Sequence, residues 1–261
     1  MREIRNIVIL TGAGISAESG LQTFRAADGL WEGHRVEDVA TPEAFARDPA
    51  LVLSFYDARR ARLGKVEPNA AHIALARLDA EWPGDLLIVT QNVDDLHERA
   101  GARRLLHMHG ELRKGWCLAC DERFAWEGPM SPHTVRPEPV EGLSLSALAI
   151  VQPFDKLRTN GNLCPVCGAS GCIRPDIVWF GEMPYDMDRI DAALMNADLF
   201  ISIGTSGAVY PAAGFVQTAR YRSAETLEIN LDPSQGSIFF DERRYGQASD
   251  LVPAWVAEML P

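Results

Sequence analysis

Residues 6–20 read NIVILTGAGISAESG, and this stretch decides the fold. Asn6–Thr11 is a continuous apolar run, as expected of a parallel strand covered by helices on both faces. It runs into a Gly-rich turn, Gly12-x-Gly14-x-x-Ala17. In the dinucleotide fingerprint one Gly permits the tight turn and the next lets backbone N–H groups approach a pyrophosphate. A helix N-terminus then faces the anion. The acidic residue that usually follows at the end of a second strand is not evident. Residues 24–31 read FRAADGLW instead, which argues against dehydrogenase-type binding.

Similar apolar runs recur at Leu86–Thr90, Leu199–Gly204 and Thr226–Leu231. Helical patterns lie between them, over Pro49–Gly64, Asn69–Leu78, Met187–Asn196 and Pro211–Tyr221, and Asp250–Leu260 closes the chain. This alternation predicts an α/β fold, a Rossmann-like doubly wound parallel sheet. The chain has 261 residues, 47% of them hydrophobic, enough for one large domain with a sizeable core. No run approaches the length of a membrane span. A net charge of −11 argues against direct binding to a nucleic acid backbone.

The stretch LLHMHGELRKGWCLAC, residues 105–120, places His109-Gly110 shortly before Cys117-x-x-Cys120. A second pair, Cys164-x-x-Cys167, follows. Two such knuckles close four thiolates round one tetrahedral ion, so Cys117, Cys120, Cys164 and Cys167 are the expected ligands of one structural Zn2+. Four sulfurs leave no open coordination position, and the chemistry must sit elsewhere. Cys172 is left over and expected to be packed. Thiols in metal spacing rather than a disulfide framework point to a reducing, cytoplasmic location. Between the two pairs, residues 129–163 are rich in Pro and turn residues. VRPEPVEG and FDKLRTNG resemble the translated palindromic repeats inserted in some bacterial reading frames. The stretch reads as a disordered insert at the edge of the metal module, without a catalytic role.

GAGISAESG, TFR, TQNVDDLH, HMHGEL, the Cys pairs, FGE, GTSGAVYPAA and INLDP together resemble the sirtuins, in order and context, over essentially the whole chain apart from residues 129–163. The resemblance is to the bacterial and mitochondrial-type desuccinylase branch. Gln22 stands where that family usually has Pro, and Ala27-Asp28 replaces a Gly-rich pair. The resemblance implies a single catalytic domain over 1–261, with a helical insertion at 33–65 forming an acyl pocket and a small zinc module at 113–174. It implies that NAD is a co-substrate: the amide oxygen of an acylated protein lysine attacks C1′ of the nicotinamide ribose, nicotinamide leaves, and the acyl group ends on ADP-ribose.

That scheme needs a base near neutral pH, and His109 is the choice among six histidines, placed at the end of the strand LLHMH. His107, on the same face at strand period 2, is its nearest competitor. His72 and His97 read as hydrogen-bonded core or surface residues. Asn92 and Asp94 join His109 as catalytic residues. The implied NAD contacts are Gly12, Ala13, Gly14 and Ile15, then Phe24 and Arg25, then Gln91, Asn92, Val93 and Asp94. Gly204, Thr205, Ser206, Asn230, Leu231, Asp232 and Ala248 complete the set.

The peptide is expected between Val178–Glu182 and the Gly207–Tyr210 loop, with Val178, Phe180 and Gly181 as contacts, entering as an added strand. Tyr56 and Arg59 lie three residues apart on a helical pattern and match the family motif that recognises succinyl- and malonyl-lysine. In isolation Arg59, Arg60 and Arg62 could equally form a solvated basic face. The leading function is thus NAD-dependent deacylation: desuccinylation and demalonylation, with deacetylation also expected. An ADP-ribosyltransferase, an NAD hydrolase and a non-catalytic nucleotide sensor are the competing readings.

Overall fold

The computed structural model describes residues 3–22, 30–31, 34–131 and 163–260. Its centre is a parallel sheet of β1 (Ile7–Thr11), β4 (Leu86–Thr90), β5 (Leu105–His107), β9 (Leu199–Ile203), β10 (Glu225–Asn230) and β11 (Glu242–Tyr245). The strand order is β11-β10-β9-β1-β4-β5. From β1 the chain builds outward to one side through β4 and β5, then returns to build the other through β9. The switch point therefore lies between β1 and β9, where open α/β sheets bind ligands.

Every residue of β1, β4 and β9 is buried, and successive side chains alternate between two cores. Ile7, Ile9, Ile88 and Ile201 pack against α5 (Ala70–Glu81) and α9 (Ala248–Met259). Val8, Leu10, Val89 and Phe200 pack against α7 (Met187–Asn196) and α8 (Phe215–Tyr221). The sheet is doubly wound because both of its faces are apolar.

Two segments are inserted into this frame. The first carries a hairpin, β2 (Leu30–Trp31) and β3 (His34–Arg35), then α2 (Val36–Val39), α3 (Pro42–Arg47) and α4 (Pro49–Leu63). Thr41 and Asp48 cap α3 and α4 through the amides of Ala44 and Leu51, with Pro at each first turn. The second is an antiparallel sheet ordered β7-β6-β8, from β6 (Gly110–Cys117), β7 (Arg123–Ala125) and β8 (Ile173–Ile177). The two segments share cores: Tyr56 and Val52 pack with Leu112, Ile177 and Trp179, and Leu53 packs with Cys117 and Met130.

The expected helix after the first strand is α1 (Ala13–Ala17). Two expectations change. The strand LLHMH stops at His107, and His109 sits in the turn before β6. The expected insert also begins too early, because Met130 is fully buried and Ser131 is anchored; of that stretch, residues 132–162 lie outside the described residues.

The anchor is Asp57. One carboxylate oxygen accepts from the Arg60 guanidinium at 2.8 Å and from the Met130 amide at 2.7 Å. The other accepts from the Ser131 amide at 2.7 Å and the Ser131 hydroxyl at 2.5 Å. Arg60 is buried and also donates to Leu112 O and Gly128 O, so it is a strut between α4 and the second segment, not part of a solvated basic face. Asp57→Ala is expected to cost about 3–5 kcal/mol, because the Arg60 charge stays buried without its partner. Denaturant unfolding measures it; a loss below about 1 kcal/mol, the range of exposed pairs, overturns this reading.

Candidate active site and metal centre

The loops that follow β1, β4, β9 and β10 converge at the carboxyl edge of the sheet. They carry Gly12–Ile15, Gln91–Asp94, Gly204–Ser206 and Asn230–Asp232. Ala248 opens α9 one strand further along. Phe24 and Arg25 lie outside the described residues.

The glycines of the first loop act differently from the expectation. The Gly14 amide donates to Gly204 O at 2.8 Å and is therefore committed to the protein. A Cβ on Gly12 would stand 2.8 Å from Gly204 O, and one on Gly14 would stand 2.7 Å from Gly204 Cα. Gly204 itself has φ +63, and its own Cβ would meet the Ile15 amide at 2.4 Å. These glycines let the loops after β1 and β9 touch, closing the switch point at its base. A small recess lies beside it, lined by Gln91, Thr205, Gly207 and Ser234 among others.

Asn92 and Asp94 are buried and joined through Ser16, a residue the sequence reading did not single out. The Asn92 side-chain amide donates to Gly12 O at 3.2 Å and to Ser16 Oγ at 3.1 Å. Ser16 Oγ in turn donates to Asp94 Oδ2 at 3.0 Å. The other Asp94 oxygen accepts from the Leu96 amide at 3.2 Å. Burial pushes the Asp94 carboxyl up, against the lowering effect of the Leu96 amide and the Ser16 hydroxyl. His72 Nε2 lies 3.4 Å from Ser16 Oγ, and His97 Nε2 lies 3.1 Å from Thr11 Oγ1. Both imidazoles are buried and their pKa values lowered by burial, that of His72 to about 4, so they are neutral supports. Asn69 caps α5 and donates to Ile15 O at 2.8 Å and Ser19 Oγ at 3.1 Å, tying the first loop down.

His109 is oriented by a bond to the loop after β4: Nδ1 lies 3.1 Å from Gln91 O. A carbonyl only accepts, so Nδ1 carries the proton and Nε2 keeps the lone pair. Burial lowers the His109 pKa, more than the Gln91 carbonyl raises it. The ring is therefore neutral at neutral pH, the form a general base needs. Gly110 fixes the turn: it has φ +80, and a Cβ there would stand 2.1 Å from Asp176 O.

In the second loop system the Asn230 amide donates to Thr205 O at 2.7 Å, and Ser202 and Thr205 hydroxyls pair at 2.8 Å. Leu231 and Asp232 are exposed. At the proposed peptide edge, the amides of Val178, Trp179 and Phe180 go to His109 O, Glu182 Oε2 and Ala40 O. Those three amides are committed within the protein, so an added strand would pair through other backbone groups of the two edges. Tyr56 is fully buried beneath this segment, and its hydroxyl accepts the Trp179 indole N–H at 2.9 Å. Burial raises the Tyr56 phenol while the charge of nearby Arg59 opposes the shift, so both side chains act at one place.

The four expected cysteines come together with all sulfurs within 4.8 Å of one another. Cys117 and Cys167 are 3.8 Å apart, and Cys120 and Cys164 are 3.7 Å apart. A tetrahedron of Zn–S bonds of about 2.3 Å has edges of about 3.8 Å, so the sulfurs fit zinc. Cys164 Sγ also accepts the amides of Val166 and Cys167, as a thiolate at a knuckle does. Burial would raise the Cys117 thiol, but the amides of Cys120 and Ala119 draw it down to about 6. Cys172 lies 3.4 Å from Cys117 Sγ and donates to Ala169 O, beside the cluster but outside it.

Residues 12–211 match the Sir2 family model. The chain belongs to the Sir2 family. A relative from Bdellovibrio bacteriovorus, named an NAD-dependent protein deacylase, is 54% identical over 262 residues, covering 100% of this chain and 99% of that protein. Among solved structures, a Sir2 homolog–NAD complex is 36% identical with a TM-score of 0.79, covering 99% of this chain and 92% of the other. A Sir2–p53 peptide–NAD+ complex is 25% identical with a TM-score of 0.74, covering 98% and 94%. Among the described residues of this Sir2 chain, no helix is long and apolar enough to cross a membrane.

Proposed function

We infer that this chain is an NAD-dependent protein deacylase that moves the acyl group of an acylated lysine to ADP-ribose and releases nicotinamide. The observation that carries the reading is His109, a buried neutral imidazole whose protonated Nδ1 is held by Gln91 O. It stands beside the buried Asn92–Ser16–Asp94 chain at the carboxyl edge of β4.

NAD is a substrate here. The lysine amide oxygen displaces nicotinamide at C1′, so the protein needs no nucleophile of its own. His109 Nε2 takes the proton from a ribose hydroxyl, whose oxygen then attacks the acyl carbon. The lysine amine leaves with a proton, water adds to that carbon, and the acyl group stays on ADP-ribose as an ester. Asn92 and Asp94 are the groups for ribose and carboxamide, an amide and a carboxylate matched to hydroxyl and N–H2 partners. Gly12–Ile15, Phe24, Arg25, Val93, Gly204–Ser206, Asn230–Asp232 and Ala248 are the proposed remaining contacts to NAD. The zinc ligands hold the β6–β8 module and take no part in the steps. Incubation with NAD and an acyl-lysine peptide panel, followed by mass spectrometry, tests the reading. Deacylated peptide with nicotinamide and acyl-ADP-ribose is expected; ADP-ribosylated peptide, or ADP-ribose without deacylation, overturns it.

Within that activity, Tyr56 and Arg59 favour succinyl- and malonyl-lysine over acetyl-lysine. Their support is that Tyr56 on α4 accepts the Trp179 indole N–H, and that Arg59, on the same helix, acts electrostatically on the Tyr56 phenol. A guanidinium fork suits a carboxylate. Arg59→Met is expected to cut kcat/KM on succinyl-lysine roughly 100-fold while changing it little on acetyl-lysine. Equal losses on both substrates, or none, would show that Arg59 does not read the acyl carboxylate.

A further inference from the structure

His107 stands two residues before His109 in an opposite environment. Its Nδ1 lies 3.0 Å from Asn92 O and its Nε2 lies 2.6 Å from Glu98 Oε1. A carbonyl and an ionised carboxylate both only accept, so each ring nitrogen needs a proton and the ring is an imidazolium. The side chain is 7% exposed, while that of Glu98 is 40% exposed. The two histidines thus hold consecutive carbonyls, those of Gln91 and Asn92, in the two peptide units that flank the Asn92 Cα. Those units carry Asn92 and lead on to Asp94, whose side chains reach Gly12 and Ser16 only from a fixed backbone.

We propose that His107 is a positioning residue of the reaction: as a cation clamped between Glu98 and the Asn92 carbonyl, it fixes the Gln91–Asp94 loop and gives Asp94 a positive neighbour. The proposal rests on the deacylase reading above. The charged and titratable groups around His107 are Glu98 and His97 on α6 (Leu96–Ala100), Asp94 on the loop, and Glu111 on β6, which pairs with Lys114. Burial opposes the cation, but the hydrogen bond and charge of Glu98 outweigh it, and the His107 pKa is raised. The clamp is therefore complete below the ordinary histidine pKa of about 6.5, persists above it, and is lost as pH rises through the raised value. His109 has the reverse sign, becoming a competent base as pH rises through its lowered value. Activity is thus limited on the acid side by His109 and on the alkaline side by His107.

The test uses the full-length, zinc-loaded protein. Nitrogen-15 NMR of the imidazoles reads protonation directly, and pH profiles of kcat and kcat/KM for NAD are compared for wild type, Glu98→Gln and His107→Gln. Wild type should show a doubly protonated His107 and a singly protonated His109 at neutral pH. Glu98→Gln should move the alkaline limb to lower pH and leave the acid limb in place, which general loosening of the fold would not do. His107→Gln should lose roughly 10–100-fold in kcat/KM, as a displacement of about 1 Å in a catalytic loop does, with zinc content unchanged. A neutral His107 in wild type, or an alkaline limb that Glu98→Gln leaves unmoved, overturns the proposal. A cationic His107 in a wild type inert toward every acyl peptide overturns the deacylase reading instead, and leaves the clamp a structural ion pair.

Discussion

His109→Ala is expected to reduce deacylation by roughly 10²–10⁴-fold, the usual contribution of a positioned general base. Unfolding midpoint and zinc content should stay close to wild type, because among the described residues the His109 side chain bonds to a backbone carbonyl alone, at 3.1 Å. The pH profile carries a second signature. Burial lowers the His109 pKa, so the acid limb of kcat/KM should fall below the ordinary histidine value of about 6.5. A nearly fully active His109→Ala beside a dead His107→Ala would assign the base to the other imidazole. That result would contradict the geometry, in which His107 Nε2 already faces Glu98 at 2.6 Å.

Removing the metal should have the largest effect on stability. Structural zinc contributes roughly 10–16 kcal/mol to folding in zinc-finger peptides, and here its four ligands link the end of β6 to the segment that leads into β8. Cys164→Ser or strong chelation is expected to melt the β6–β8 sheet and the core it shares with α4, where Leu53 meets Cys117 and Met130. Metal analysis should give about one zinc per chain. Cys172→Ser should keep that zinc, since its sulfur stands beside Cys117 but outside the four. Freshly purified, unchelated protein without zinc, or a Cys164→Ser variant as stable as wild type, overturns the assignment.

Much of this was legible in the chain because its signals are local. Continuous apolar runs predicted β1, β4, β9 and β10 to within a residue or two at their ends, since a strand buried on both faces must be apolar on both. The Cys-x-x-Cys spacing marked the metal ligands because a knuckle is formed by neighbouring residues. Residues that follow a strand lie at the sheet's carboxyl edge, so Gln91–Asp94, Gly204–Ser206 and Asn230–Asp232 could be placed there from position alone.

What needed the tertiary structure is whatever depends on partners far along the chain. Ser16 joins Asn92 and Asp94 across 76 and 78 residues, and nothing in GAGISAESG distinguishes its hydroxyl from that of Ser19. Gly12 and Gly14 read as ligand-facing glycines, yet it is Gly204, from the other half of the fold, that needs their missing Cβ atoms. Arg60 looked like its neighbours Arg59 and Arg62 until Asp57, Leu112 O and Gly128 O buried it. His107 and His109 share a strand period and a residue type, so the sequence could name the pair as candidates for the base. Only the fold, among the described residues, gives one of them a carbonyl and the other a carbonyl and a carboxylate, and that difference moves their pKa values in opposite directions.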